Sequence, residues 1–174
     1  FTEVYFSTIR RVLKEFDSNH LYLGCRFIRM PPSETICRIA GKYSDVVTVN
    51  MYDLWPRREL FSKWHAWTGR PILIGEHHLP LDSDRQLPPS YAAFTREERE
   101  KLYFELVQKW ADQPYAVGCH WYQHADQHLT GRPSNGENQP VGVVDITDTP
   151  HPEIVKSVKA AASKMYEWHQ KATL

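Results

Sequence analysis

An excess of charge of either sign is missing from this chain: 21 Lys and Arg balance 21 Asp and Glu in 174 residues, for a formal net charge of zero. That excludes an acidic tail and a basic nucleic-acid footprint spread over the whole molecule, so no nucleic-acid partner is expected. No apolar run approaches the roughly 20 residues that a membrane-spanning helix needs. The first residues, Phe1-Thr2-Glu3-Val4, have neither the basic stretch nor the apolar core of a secretory leader. Cysteine is scarce and odd in number. Cys25, Cys37 and Cys119 share no short paired spacing, so neither a disulfide framework nor a zinc knuckle is expected. Gly-x-Gly-x-x-Gly and Gly-x-x-x-x-Gly-Lys are absent, which removes support for a nucleotide cofactor. Gly-x-Ser-x-Gly is absent too.

What is present is enough apolar material for a core: 41% of residues are hydrophobic and 13% aromatic. The apolar positions alternate between helical and strand-like spacing. Residues 2–16 carry Val4, Tyr5, Ile9, Val12, Leu13 and Phe16 as an approximate helical stripe, stopped by Asp17-Ser18-Asn19-His20. A short strand is predicted from Leu21 to Phe27, a helix from Pro31-Pro32-Ser33-Glu34 to about Tyr43, and a β-branched strand over Val46–Asn50. A helix from Arg57 to Trp67 follows, then the buried strand Ile72-Leu73-Ile74-Gly75, then a long loop with Pro80, Pro88 and Pro89. Thr95-Arg96-Glu97-Glu98 reads as a capping box opening a helix to about Asp112. A fourth strand covers Ala116–Trp121, a polar loop runs to Pro150, and one last helix spans Pro152 to Gln170. The order is one helix and then four βα units, with the first three strands beginning about 25 residues apart, which suits parallel crossovers.

In parallel α/β folds chemistry collects at the carboxyl ends of the strands. Those ends carry Arg26, then Asn50 and Tyr52, then Glu76-His77-His78, then His120-Trp121-Tyr122-Gln123. Glu76 is the sharpest of them: it directly follows four apolar or small residues, and a carboxylate at the rim of a core must be paired or functional. Tyr52, Trp55, Trp121 and Tyr122 offer faces for stacking on sugar rings, against the plainer role of core packing. His120, His124 and His128 recur every four residues, but residues 118–121 read as strand and 125–132 as loop. With no His-Glu-x-x-His pattern either, no metal site is expected.

The run Ile72-Leu73-Ile74-Gly75-Glu76-His77-His78 resembles the nucleophile strand of the retaining glycoside hydrolases of clan A, which are (β/α)8 barrels. Val49-Asn50-Met51-Tyr52 looks like the end of their sixth strand and His120-Trp121 like the end of the eighth. Within the clan, residues 19–27, 118–123, 136–138 and 144–150 are similar to glycoside hydrolase family 50, the β-agarases, and the resemblance covers residues 5–168. It implies an α/β fold made of about four βα units, the carboxyl-terminal half of a TIM barrel (strands five to eight). It also implies retaining hydrolysis of β-galactosidic bonds in an agarose-type polysaccharide, without cofactor, by a secreted or periplasmic parent enzyme. In that reading Glu76 is the nucleophile, Tyr52 orients it and Arg26 is its counter-charge. Asn50, His77, Trp121, Gln123, Glu137 and Asn138 grip sugar hydroxyls.

The clan places its acid/base Glu in an Asn-Glu pair, and no Asn-Glu dipeptide occurs in these residues. Residues 1–174 are therefore expected to be a partial catalytic domain whose acid/base half is missing. Against a barrel of about 250 residues, the chain is short by that half. Open strand edges should then favour self-association or poor solubility, with no net charge to oppose it. Two other readings stay open here: a β-galactosidase-like clan A hydrolase, and a non-catalytic carbohydrate-binding α/β module with Glu76 in a structural ion pair. A complete doubly wound domain is also compatible with the element order.

Overall fold

A single parallel sheet carries the structure. The computed structural model describes residues 1–82 and 92–173; Pro88 and Pro89 of the expected long loop lie outside them. The elements are α1 (Thr2–Phe16), β1 (Arg26–Ile28), α2 (Glu34–Tyr43), β2 (Val47–Asn50), α3 (Arg58–Thr68), β3 (Ile72–His77), α4 (Arg96–Ala111), β4 (Ala116–Trp121), α5 (Pro152–Ala162) and α6 (Met165–Thr173). The strands lie side by side in chain order, all parallel. A doubly wound sheet reverses its strand order at a switch point; this one does not, so the doubly wound alternative is replaced by a four-unit portion of a βα barrel.

The two faces of the sheet differ in the way a barrel wall requires. Val47, Val49, Met51, Ile72, Ile74 and Ala116 point toward the helices and pack with Cys37, Leu60, Phe61, Trp64, Leu106 and Trp110. The opposite face carries Arg26, Thr48, Asn50, Leu73 and Gly75. A β-carbon on Gly75 would stand 2.4 Å from Thr48 Cγ2 and 2.8 Å from Asn50 Oδ1, so only glycine lets these side chains close over the strand. Local signals start the helices: Ser33 accepts from the Ile36 N–H and Thr95 from the Glu98 N–H, while Glu98 returns a bond to the Phe94 N–H.

Two boundaries and one burial pattern differ from expectation. The strand predicted over Leu21–Phe27 forms ladder bonds only from Arg26. Before that its carbonyls are taken up outside the ladder, Tyr22 O by the Asp45 N–H and Leu23 O by the Thr48 hydroxyl. The helix expected over Pro152–Gln170 breaks at Ser163 and Lys164 into α5 and α6, which swings Trp168 edge-on against Phe104, 5.1 Å between centroids. In α1 only Phe6 is buried. It packs with Tyr22 and Ala40, while Val4, Val12, Leu13 and Phe16 of the expected stripe stay exposed.

Candidate active site

A one-residue irregularity in β3 decides which side chains reach the site. Val49 stands opposite Ile74, but Asn50 stands opposite Glu76, so Gly75 is an extra residue on β3. Strict alternation from Ile74 would send Glu76 toward the helices and His77 inward. The bulge exchanges them, as bulges beside functional sites commonly do. Glu76 thus turns to the polar face. Its Oε1 accepts from Arg26 Nη1 at 2.6 Å and its Oε2 accepts from the Tyr52 hydroxyl. The Glu76 side chain is 21% exposed, open enough for a reactant to reach. Burial first, and then the bond to Glu76, raises the Tyr52 pKa far above the usual phenol range, so the hydroxyl keeps its proton and stays a donor.

The other residues expected at the site separate into two groups. Asn50, next to Glu76 in register, has a buried Oδ1 with no hydrogen-bond donor among the described residues. From Tyr52 a line of rings leads outward: His78 lies 4.7 Å from it and Tyr122 lies 6.3 Å from His78. The Tyr122 hydroxyl accepts from Arg132 Nη2 at 2.5 Å, and the same guanidinium pairs with Glu137 at 3.1 Å. Burial opposes ionisation of Glu137, but bonds from Gln127 and Asn135, with Arg132 beside them, hold its pKa below the usual carboxylate range. Asn138 and Gln123 are turned to the loop itself, their side-chain amides donating to Leu129 O and Ala125 O.

His77 and Trp121 are not brought to this group. The His77 ring is 1% exposed and lies among Tyr103, Trp110 and Trp121, in the layer between β3 and α4. Trp121 pairs with His77 across the ladder, packs edge-on to Tyr103, and donates from Nε1 to Val141 O at 2.8 Å. Both pack in the layer between the sheet and α4. Burial pushes the His77 pKa down to about 3 and that of His78 to about 4, so both rings are neutral. Arg132 was absent from the expected site set, and His78 and Tyr122 entered it only as strand-end residues, Tyr122 also as a stacking face. Shifting the parity of β3 by one residue would have pointed to His78 in place of His77.

The loop of residues 122–150 is pinned from beneath. Arg99, fully buried on α4, donates to Leu79 O at 2.8 Å and to Pro140 O and Gly142 O at 3.2 Å each, and pairs with Glu153 of α5 at 3.4 Å. Asp126 accepts from the Gly142 N–H at 2.7 Å and meets His151 Nε2 at 3.1 Å. The remaining carboxylates at this end of the sheet have partners of their own: Asp53 binds Arg29 and Glu137 binds Arg132. Among the described residues no group of three His, Cys, Asp or Glu is gathered as metal ligands, and no helix is long and apolar enough to cross a membrane.

No family model matches the chain. It is 38% identical over 167 residues to beta-agarase B of Vibrio sp. (strain JT0107) and 32% identical over 169 residues to beta-agarase A of the same organism; each alignment covers 93% of this chain. The chain spans 17% of the length of these curated relatives. Among solved structures, an exo-beta-agarase is similar with a TM-score of 0.88 and 35% identity, over 97% of this chain and 23% of that one. The agarase AgWH50C gives 0.86 and 36%, over 97% and 26%.

Proposed function

From a chain that is close in sequence and fold to the agarases of glycoside hydrolase family 50, we propose that it supplies the nucleophile half of a retaining β-agarase-like glycosidase acting on an agarose-type galactan. The observation that carries this reading is Glu76, turned inward by the bulge at Gly75 and held through both oxygens by Arg26 and Tyr52. A carboxylate fixed in this way is set to attack an anomeric carbon. The attack forms a glycosyl–Glu76 ester as the bond to the leaving oxygen breaks. A second carboxyl group, about 5–5.5 Å away, protonates that oxygen and then takes a proton from the water that releases the sugar. That second group comes from the upstream half of the domain, so the 174-residue chain is inactive alone. Asn50, with its unpaired buried oxygen, is suited to meet a sugar hydroxyl, and Glu137 to accept from another.

The test is Glu76→Gln in the complete enzyme containing this segment. Turnover should fall on the order of a thousandfold or more while the fold persists; turnover within tenfold of the parent rejects the nucleophile role. Release of neoagaro-oligosaccharides by the pure 174-residue chain rejects its incompetence alone. The exposed apolar residues of α1 and the single pairing of β1 and β4 support self-association of the chain by itself. Sedimentation showing a monomer at all concentrations would refute that.

A further inference from the structure

The tip of the long loop folds back on itself over residues 131–137. The Arg132 N–H donates to Glu137 O at 2.9 Å, and the Asn135 and Gly136 N–H groups both donate to Arg132 O, at 3.3 and 2.7 Å. Gly136 takes φ +72°, and a β-carbon there would meet nothing within 4 Å. Asn135 is exposed. The Asn135–Gly136 step thus stands in an open turn that water and solvent base can reach. The other asparagines precede bulkier residues: Asn19 stands before His20, Asn50 before Met51 and Asn138 before Gln139.

One residue grips the Asn135 side chain at both of its polar atoms. Oδ1 accepts from the Glu137 N–H at 3.2 Å, and Nδ2 donates to Glu137 Oε2 at 3.3 Å. The first bond draws electrons from the amide carbon and favours negative charge on its oxygen, as a donor at a tetrahedral intermediate does. Closing the Gly136 nitrogen on Asn135 Cγ gives a five-membered imide ring, and glycine has no side chain to crowd that closure. What opposes it is the bond from the Gly136 N–H to Arg132 O, which has to open first.

We propose that Asn135 is a self-modification site: the Gly136 nitrogen attacks the Asn135 side-chain carbon, and the product loosens Glu137 in the wall of the site. The new N–C bond forms as the bond to Nδ2 breaks. Ammonia leaves, taking up through solvent the proton that Gly136 gives up. Water then opens the imide at one of its two carbonyls, giving aspartate, or isoaspartate when the chain is rerouted through the side chain. Aspartate puts a carboxylate oxygen in place of the donor to Glu137 Oε2, so that contact becomes a repulsion. Both acids then compete for Arg132, which also serves Tyr122. Isoaspartate instead adds a main-chain carbon inside the turn that Arg132 and Glu137 close. The conversion does not depend on the galactan-hydrolase reading, and its failure would leave that reading standing.

The 174-residue chain is held in mildly alkaline buffer at body temperature and mapped by peptide mass over days to weeks. The peptide with Asn135 should gain about 1 Da and become a substrate for isoaspartyl methylation. Its rate should be about two- to tenfold below that of an unstructured peptide of residues 130–140, the factor that one hydrogen bond accounts for. Gly136→Ala places a methyl in open space and should slow the conversion about tenfold or more. Burial raises the Glu137 pKa, and the bonds from Gln127 and Asn135, with Arg132, outweigh it. Asn135→Asp, the product made directly, should therefore raise the Glu137 midpoint in a carbon-detected titration, since a donor is lost and a like charge gained. Conversion at Asn135 no faster than at Asn19, Asn50 or Asn138, an unchanged rate in Gly136→Ala, or a Glu137 midpoint that stays or falls in Asn135→Asp each overturns the proposal.

Discussion

Replacing Arg99 by Met tests how the long loop is held. The guanidinium is fully buried and serves four acceptors: Leu79 O, Pro140 O, Gly142 O and Glu153. Methionine keeps most of the apolar stem but leaves three carbonyls without that donor. Glu153, whose side chain is 5% exposed, keeps only Arg96 at 3.2 Å, a residue that is itself half in solvent. Removing one partner of a buried ion pair costs about 3–5 kcal/mol, because the other charge stays behind without compensation. For a chain of this size each kcal/mol lowers Tm by roughly 2–4 °C, so a fall of about 6–20 °C is expected. Urea unfolding followed by tryptophan fluorescence gives the free energy. Amide exchange resolves whether residues 139–144 open first, as their loss of the Arg99 donor requires. A destabilisation below about 1 kcal/mol would refute the account, showing that the loop is held by Trp121 and Asp126 alone.

Gly75→Ala should cost about 1–3 kcal/mol, because the new methyl meets Thr48 at 2.4 Å and Asn50 at 2.8 Å; an unchanged urea midpoint would mean that β3 has room there. The depressed pKa values of His77 and His78 fix the sign of an acid effect. The unfolded rings bind protons below about 6.5, whereas the folded ones stay neutral to about 3 and about 4. Stability is therefore complete above pH 6.5 and is lost as pH falls through that window, at up to about 1.4 kcal/mol per pH unit per ring. His77→Phe should roughly halve the slope between pH 6 and 4.5, measured by denaturation at each pH, and an unaltered slope would contradict it.

Local signals in the sequence were enough to locate Thr95 as a cap, Ala116–Trp121 as a strand and Glu76 at a strand end. What failed were properties set by distant neighbours. The exchange of Glu76 and His77 depends on the register of β3 against β2, which no alternation within Ile72–His78 reveals. Arg99 sits in a charged stretch, Arg96-Glu97-Glu98-Arg99-Glu100-Lys101, that reads as a solvated helix start; only the carbonyls of the returning loop make its burial tolerable. The stripe of α1 has helical spacing, yet burial needs a partner, and α2 covers only the side holding Phe6 and Ile9.

The strict neighbour order of the strands has a consequence for how the chain acquires its structure. Each strand docks on the one made just before it, with register partners 22 positions apart for Arg26 and Thr48, 25 for Val47 and Ile72, and 44 for Ile72 and Ala116. Such an arrangement can grow by one βα unit at a time as the polypeptide leaves the ribosome. The Arg99 knot lies beyond the sheet: it joins α4 to residues 41 to 54 positions later, all of them made after β4. It can close fully only once Glu153 has been synthesised, so the loop that walls the site settles after the four-stranded sheet.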